Sequence, residues 1–345
     1  MKRKVGQLII VGFVGTDSTS PGFRRLIHNL EHGIVGGVLF LPRNIVGRPE
    51  LEKMVLEIKQ CSSSTVPFIA IDEEGGTVDW LGEEYGFERI PSAAKVAQSG
   101  DENARRQYNA LARKLRNVGF NMNLAPVVDL NTNPHNPIIG TRERSFSSDT
   151  TLVERYAKIF IEEHRALGIL TVLKHFPGHG SSATDTHAAA ADVGSSWSPE
   201  ELAPYRGLIA AGLVDAVMVG HLVNSQRWGG VATQRGSTAI SGLLRRDLQF
   251  DGVVISDDLT MDAVRGGANA FSEVVRSAIG AGIDLVLIVH PVTGETADSA
   301  LAINTALVEG VQSGRIARDS IERSWRRVTN LKAKIQKEGK ISDGR

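Results

Sequence analysis

The strongest constraint in this chain is a recurrence: eight short apolar runs, with helically patterned segments between them. The runs are LIIVGF (8–13), IVGGVLF (34–40), FIAID (68–72), NMNLAPVVDL (121–130), LTVLKHF (170–176), DAVMVGH (215–221), GVVISDD (252–258) and DLVLIV (284–289). They show almost no polar alternation. Strands covered on both faces read this way, as in parallel sheets. Between them, ENARRQYNALARKLRNVG (102–119) and DTTLVERYAKIFIEEHRALG (149–168) carry apolar residues at three- and four-residue steps and stop on glycine. SPEELAPYRGLIAAG offers Ser198 as an N-cap, with Glu201 at capping-box spacing. Eight βα units in 345 residues predict one α/β domain, a (β/α)8 TIM barrel over residues 1–335, with 336–345 as a polar tail. A doubly wound sheet is the competing architecture. No repeat, low-complexity linker or composition break divides the chain.

Charge narrows the partners. Lys+Arg and Asp+Glu both number 39, and this balance lacks the basic excess of a nucleic-acid binder. A hydrophobic fraction of 41% with 23% charged residues fits a soluble globular protein. Cys61 is the sole cysteine, so no intrachain disulfide forms. The start, MKRKVGQLIIVGFVG, has the outline of a signal peptide. Gln7, Gly12 and Gly15 interrupt its apolar run and no clean small-residue cleavage site follows, so LIIVGF is read as the first strand. No later run is long enough to span a bilayer. The expectation is a cytoplasmic monomer with no membrane or nucleic-acid partner.

Polar residues collect where the predicted strands end: Asp72, Asp129, Lys174 with His175, His221, and Asp257 with Asp258. Barrel enzymes place their chemistry on that rim, and buried polar groups are costly without partners. An active site is expected there. KHFPGHGSSATDTH (174–187) is the densest part. His175, His179, Asp185 and His187 supply enough donors for zinc. FPG breaks the helix that an i,i+4 histidine pair needs, and no HExxH or paired-cysteine spacing exists, so no metal is expected. GHGSS lacks the phosphate-loop pattern. Asp185 and His187, two apart, share a side in an extended segment. A carboxylate beside an imidazole fixes its tautomer and suits proton transfer to a leaving group. The plain alternatives are a loop merely shaped by Pro177 and its glycines, and a surface Asp/His pair. In VVISDDLTMDA two carboxylates follow an apolar strand and point opposite ways, so one faces the mouth. Asp257 is assigned to chemistry as a carboxylate able to attack an anomeric carbon. Asp258 is assigned as the N-cap of LTMDAVRGG.

Several blocks then agree in order: GGVLFLPRNI, AIDEEGG, NLAPVVDL, IIGTRERSF, KHFPGHG with DTH, VMVGHLV and GVVISDDLTMDA. From VGQLIIVGF to about residue 330 the chain resembles the family 3 glycoside hydrolases, in their β-N-acetylglucosaminidase branch. The resemblance implies Asp257 as nucleophile and His187 as acid/base, with Asp185 as its dyad partner. It implies that Asp72, Arg144, Lys174 and His175 bind the hydroxyls of a non-reducing N-acetylglucosamine. It implies retaining, two-step release of that sugar, from 1,6-anhydro-muropeptide fragments by analogy, with no metal or organic cofactor. One departure stands out. DEEGGTVDWL puts Thr77 and Trp80 where the family usually carries arginines. Trp80 cannot supply bidentate charged hydrogen bonds, but it can form a stacking wall for the substrate. Two other readings remain: a phosphorylase on the same fold, and a barrel that binds amino-sugars without catalysis.

Overall fold

Almost every residue of the eight strands is buried, so the missing polar alternation marks a sheet with no wet face. The computed structural model describes residues 1–61, 65–184, 191–232, 237–261, 271–290 and 299–342. Its barrel strands are β1 (Ile9–Val11), β2 (Gly37–Phe40), β3 (Phe68–Ile71), β4 (Met122–Asn123), β5 (Leu170–Phe176), β6 (Ala216–Val219), β7 (Val253–Asp258) and β8 (Leu285–Ile288). Each pairs in parallel with the next, and β8 pairs with β1 to close the ring. Closure removes every edge, which separates this (β/α)8 barrel from a doubly wound sheet.

The helical patterns fold as read. Asp101–Val118 stops at Gly119, and Thr150–Ala166 starts at Asp149. The Asp149 carboxylate accepts from the N–H groups of Thr151 and Leu152 at 2.8 and 3.1 Å, which satisfies two orphan donors of the first turn. The closing helix runs Arg318–Ser342, across the 335/336 boundary expected for the tail. Among the described residues, no helix is long and apolar enough to cross a membrane.

Two local expectations fail. The run 121–130 yields only Met122–Asn123 as strand. Pro126 has no N–H to give a ladder. Contact with β5 continues outside the regular ladder: Val172 N donates to Ala125 O at 2.9 Å, Lys174 N to Pro126 O at 3.2 Å, and Val128 N to Lys174 O at 2.8 Å beside the Val127–Lys174 bridge. Ser198 does cap its segment, accepting from Glu200 N at 3.2 Å. Glu201 does not complete a capping box. It is buried, and its Oε2 accepts from the Gly180 N–H at 3.1 Å. A donor in the loop after β5 outcompetes the local one.

Side chains brace the short β4. Asn123 Oδ1 accepts from Glu73 N at 3.0 Å, its Nδ2 donates to Glu73 O at 2.8 Å, and that Nδ2 lies 3.1 Å from His164 Nε2. His164 Nδ1 is 2.8 Å from Phe160 O. The ring is therefore neutral, donating from Nδ1 and accepting at Nε2. Burial pushes its pKa down to about 4 from 6.5. Between those values the unfolded chain binds a proton that the native chain refuses, so this contribution falls as pH drops. Burial likewise lowers His179 to about 4, whereas burial raises Glu201 to about 7, a shift that acts in the opposite direction. Comparing wild type with His164→Gln isolates one group. The stability gap between them should narrow by roughly 2–3 kcal/mol from pH 7 to pH 4.5. Urea unfolding at the two pH values measures it, and a constant gap would refute the buried neutral imidazole.

Candidate active site

A cavity of about 450 Å³ opens at the C-terminal ends of the strands. Asp72 follows β3 directly. The hairpin Glu73–Gly75 with Val78–Asp79 then brings Glu74, Val78 and Trp80 to the wall. β5 contributes Lys174 and His175, β6 contributes Met218, and β7 contributes Asp257 and Asp258. The hairpin is held by buried charge. Glu73 accepts from the Trp80 and Leu81 N–H groups at 2.8 and 3.0 Å. Lys114 Nζ sits 3.2 Å from Glu73 and 2.7 Å from Asp79. Burial lifts the Glu73 carboxyl above the usual range, Lys114 opposes that shift, and Asp79 adds to it.

The cavity's polar end is an ion network. Lys174 Nζ lies 2.6 Å from Asp72 Oδ1 and 2.7 Å from Glu74 Oε1. Arg144 grips Glu74 through Nε and Nη2, each at 2.8 Å, while its Nη1 donates to Ile138 O at 2.9 Å. Burial alone would raise Glu74, yet Arg144 and Lys174 outweigh it and hold the carboxyl well below its usual range. Burial would lower Lys174, and Asp72 and Glu74 reverse that. Glu74 is thus the hub of the network. Sequence reasoning passed over it inside DEEGG, although an acidic residue just after a strand was the signal already used for Asp72.

Adjacent strand residues normally face opposite ways, yet Lys174 and His175 both line the cavity. The β5–β6 register is irregular between Leu173 and Phe176, and the Lys174–His175 peptide is cis. Asp129 does not line the cavity. It is buried, and accepts from His175 Nδ1 at 2.7 Å, from the His175 N–H at 3.1 Å and from the His179 N–H at 2.8 Å. Burial would raise its carboxyl, and His175 and His179 hold it low. With Nδ1 committed, Nε2 is the ring atom of His175 left for a ligand. His221 likewise supports rather than lines the site, its Nε2 lying 2.8 Å from Asp258 O.

The turn after β5 is built into the barrel rim. Gly178 has φ 118°, and a Cβ there would come within 2.5 Å of the Glu201 side chain. A Cβ on Gly180 would meet Leu130 O at 1.6 Å. Trp197 Nε1 donates to Pro177 O at 3.0 Å, and Asn136 Nδ2 donates to His179 O at 2.8 Å. From this anchored turn the chain continues through Ser182, whose Oγ donates to Thr184 O. Asp185 and His187 lie outside the described residues. Among the described residues, no three His, Cys, Asp or Glu side chains are grouped to hold a metal.

Asp257 and Asp258 both border the cavity, against the expectation that only one would face it. The β7–β8 register is irregular between Ile255 and Asp258. Their environments still separate them. Asp258 is buried and accepts from Thr260 N at 2.9 Å, Thr260 Oγ1 at 2.6 Å and Val289 N at 3.0 Å. Its carboxylate is spent on the turn at Thr260; residues 262–267 of the helix it was expected to cap, LTMDAVRGG (259–267), lie outside the described residues. Asp257 is half-buried, and its Oδ1 accepts from the Asp258 N–H at 2.8 Å. Of the expected site residues, Asp72, Trp80, Arg144, Lys174, His175 and Asp257 therefore meet in one cavity. Arg142 joins them unanticipated.

A closed (β/α)8 barrel with charged residues at the strand C-termini defines a barrel enzyme whose chemistry sits on that face. Residues 1–331 match the family described as Glycosyl hydrolase family 3 N terminal domain. The chain is 33% identical over 320 residues to Beta-hexosaminidase from Xylella fastidiosa (strain M23), covering 88% of this chain and 90% of that protein. It is 28% identical over 326 residues to Beta-hexosaminidase A from Pseudoalteromonas piscicida, covering 87% of this chain and about half, 54%, of that protein. A solved family 3 β-N-acetylglucosaminidase from Paenibacillus sp. str. FPU-7 superposes with a TM-score of 0.87 at 34% identity, over 97% of this chain and 62% of that one. The chain belongs to glycoside hydrolase family 3.

Proposed function

We propose that this chain is a retaining exo-β-N-acetylglucosaminidase. It removes a terminal non-reducing N-acetylglucosamine, with 1,6-anhydro-muropeptide fragments as the natural substrate class and the cytoplasm as the setting. The observation that carries the reading is that Asp257, Asp72, Lys174 and His175 line one cavity. Family membership and relatives named as β-hexosaminidases support the sugar class. In this reading Asp72, Arg144, Lys174 and His175 hold the sugar hydroxyls, Glu74 holds Lys174 and Arg144 in place, and Trp80 forms a wall. Asp257 attacks the anomeric carbon as the glycosidic C–O bond breaks, and protonated His187 gives its proton to the departing oxygen. Neutral His187, oriented by Asp185, then takes a proton from water. That water attacks the same carbon, and Asp257 leaves.

The test is a panel of aryl β-glycosides of N-acetylglucosamine, glucose and N-acetylgalactosamine, plus a muropeptide, each with and without phosphate. Turnover of the N-acetylglucosaminide to free sugar with retained configuration is expected. Sugar 1-phosphate in the phosphate arm would reassign the second step to phosphorolysis. Binding without turnover of any glycoside would leave an amino-sugar-binding barrel.

A further inference from the structure

The cavity's cations divide into two groups. Lys174 and Arg144 are buried and spend their charge on Asp72 and Glu74. Arg142 also lines the cavity but is exposed, and it makes no hydrogen bond or ion pair among the described residues. Its backbone is fixed all the same. Thr141 N donates to Asn136 O at 3.0 Å, Glu143 N to Gly140 O at 3.0 Å, and Arg144 N to Ile139 O at 3.1 Å. The neighbouring carboxylate is turned elsewhere: Glu143 has φ 54°, accepts from Ser92 Oγ at 2.7 Å and lies 3.5 Å from Lys95 Nζ. Among the described residues, the fold thus holds an uncommitted guanidinium at the rim of the site and directs its nearest sequence carboxylate away from it.

We propose that Arg142 is a specificity-determining residue that receives a carboxylate on the leaving-group side of the substrate. This rests on the β-N-acetylglucosaminidase reading above. N-acetylglucosamine is neutral, so the sugar itself offers no anion to a guanidinium. In that reading its hydroxyls go to the buried end, at Asp72, Arg144, Lys174 and His175. The leaving group then extends toward solvent, where Arg142 stands. Guanidinium pairs with carboxylate bidentately, and a fixed backbone reduces the ordering cost of that contact.

The experiment uses two aryl β-N-acetylglucosaminides matched in leaving-group acidity, one bearing a ring carboxylate and one a carboxamide. kcat/KM is measured for wild type, Arg142→Gln and Arg142→Lys at low and high salt, with folding checked by thermal melts. Wild type should prefer the carboxylate substrate by about fivefold to tenfold at low salt, the scale of one partly exposed charge-assisted contact. That ratio should fall to near one in Arg142→Gln, survive in part in Arg142→Lys, and shrink with salt. A wild-type ratio near one, or a preference that persists in Arg142→Gln, overturns the assignment and leaves Arg142 a solvated side chain only. Failure to cleave either compound refutes the enzymatic reading instead, and the proposal with it.

Discussion

Replacing Asp257 by alanine should lower kcat on an aryl β-N-acetylglucosaminide by about four to six orders of magnitude, the range seen when one member of a cooperating catalytic set is removed. The expectation follows from a contrast between neighbours. Asp258 is buried and hydrogen-bonded to Thr260 and Val289. Asp257 is half-buried on the cavity, its Oδ1 steadied by the backbone N–H at 2.8 Å. A carboxylate held this way is oriented before the sugar arrives, which reduces the entropic part of the barrier. Azide provides a second readout. In Asp257→Ala a small anion can enter from the face the carboxylate vacated, and one displacement would give the α-glycosyl azide. Wild-type enzyme with a slow substrate should instead show, in denaturing mass spectrometry, the sugar attached to the peptide containing Asp257. Asp258→Ala should behave differently, with its main loss in thermal stability. Activity of Asp257→Ala within tenfold of wild type would sink the nucleophile assignment.

The barrel was legible because strands buried on both faces leave unbroken apolar runs, and each of the eight runs contains a barrel strand. Tertiary demands blurred the detail. Pro126 shortens the fourth strand to Met122–Asn123, and Glu201 answers Gly180 instead of its own helix start. Site residues at strand ends were legible for the same reason as the strands: a polar residue ending an apolar run needs an explanation. Their partners were not. Glu74's place just after a strand hinted at the site, but nothing near it in sequence showed its partners, since Arg144 is seventy positions away and Lys174 farther still. Asp129 was noted as a strand end, but its role in fixing His175 and His179 depends on the packing of two loops. Arg142 carries no sequence signal, because its distinction is that it meets no partner among the described residues in three dimensions.

Glu74→Ala should be the most destabilising single change at the site, costing about 3–5 kcal/mol because it leaves buried cations without their shared anion. Arg144 would lose both hydrogen bonds of its fork, and Lys174 would keep only Asp72. The side chains concerned are nearly inaccessible, 10% exposed for Arg144, 4% for Glu74 and 3% for Lys174, so water can replace little of what is removed. The carboxyl is held well below its usual range, with the two cations outweighing burial, so it is the charged form that the fold relies on. Its contribution is fully present above the unfolded carboxylate range and is lost as acid protonates it. Glu74→Gln should cost less, since one amide oxygen can still accept from Arg144. The double variant Glu74→Met with Arg144→Met should recover much of the loss, because an apolar pair of similar volume does not pay the desolvation of an ion pair, while Lys174 retains Asp72. Urea unfolding of the four proteins measures these differences. If Glu74→Ala unfolds within about 1 kcal/mol of wild type, the range of an ordinary surface pair, Glu74 is not the anion on which this end of the cavity is built.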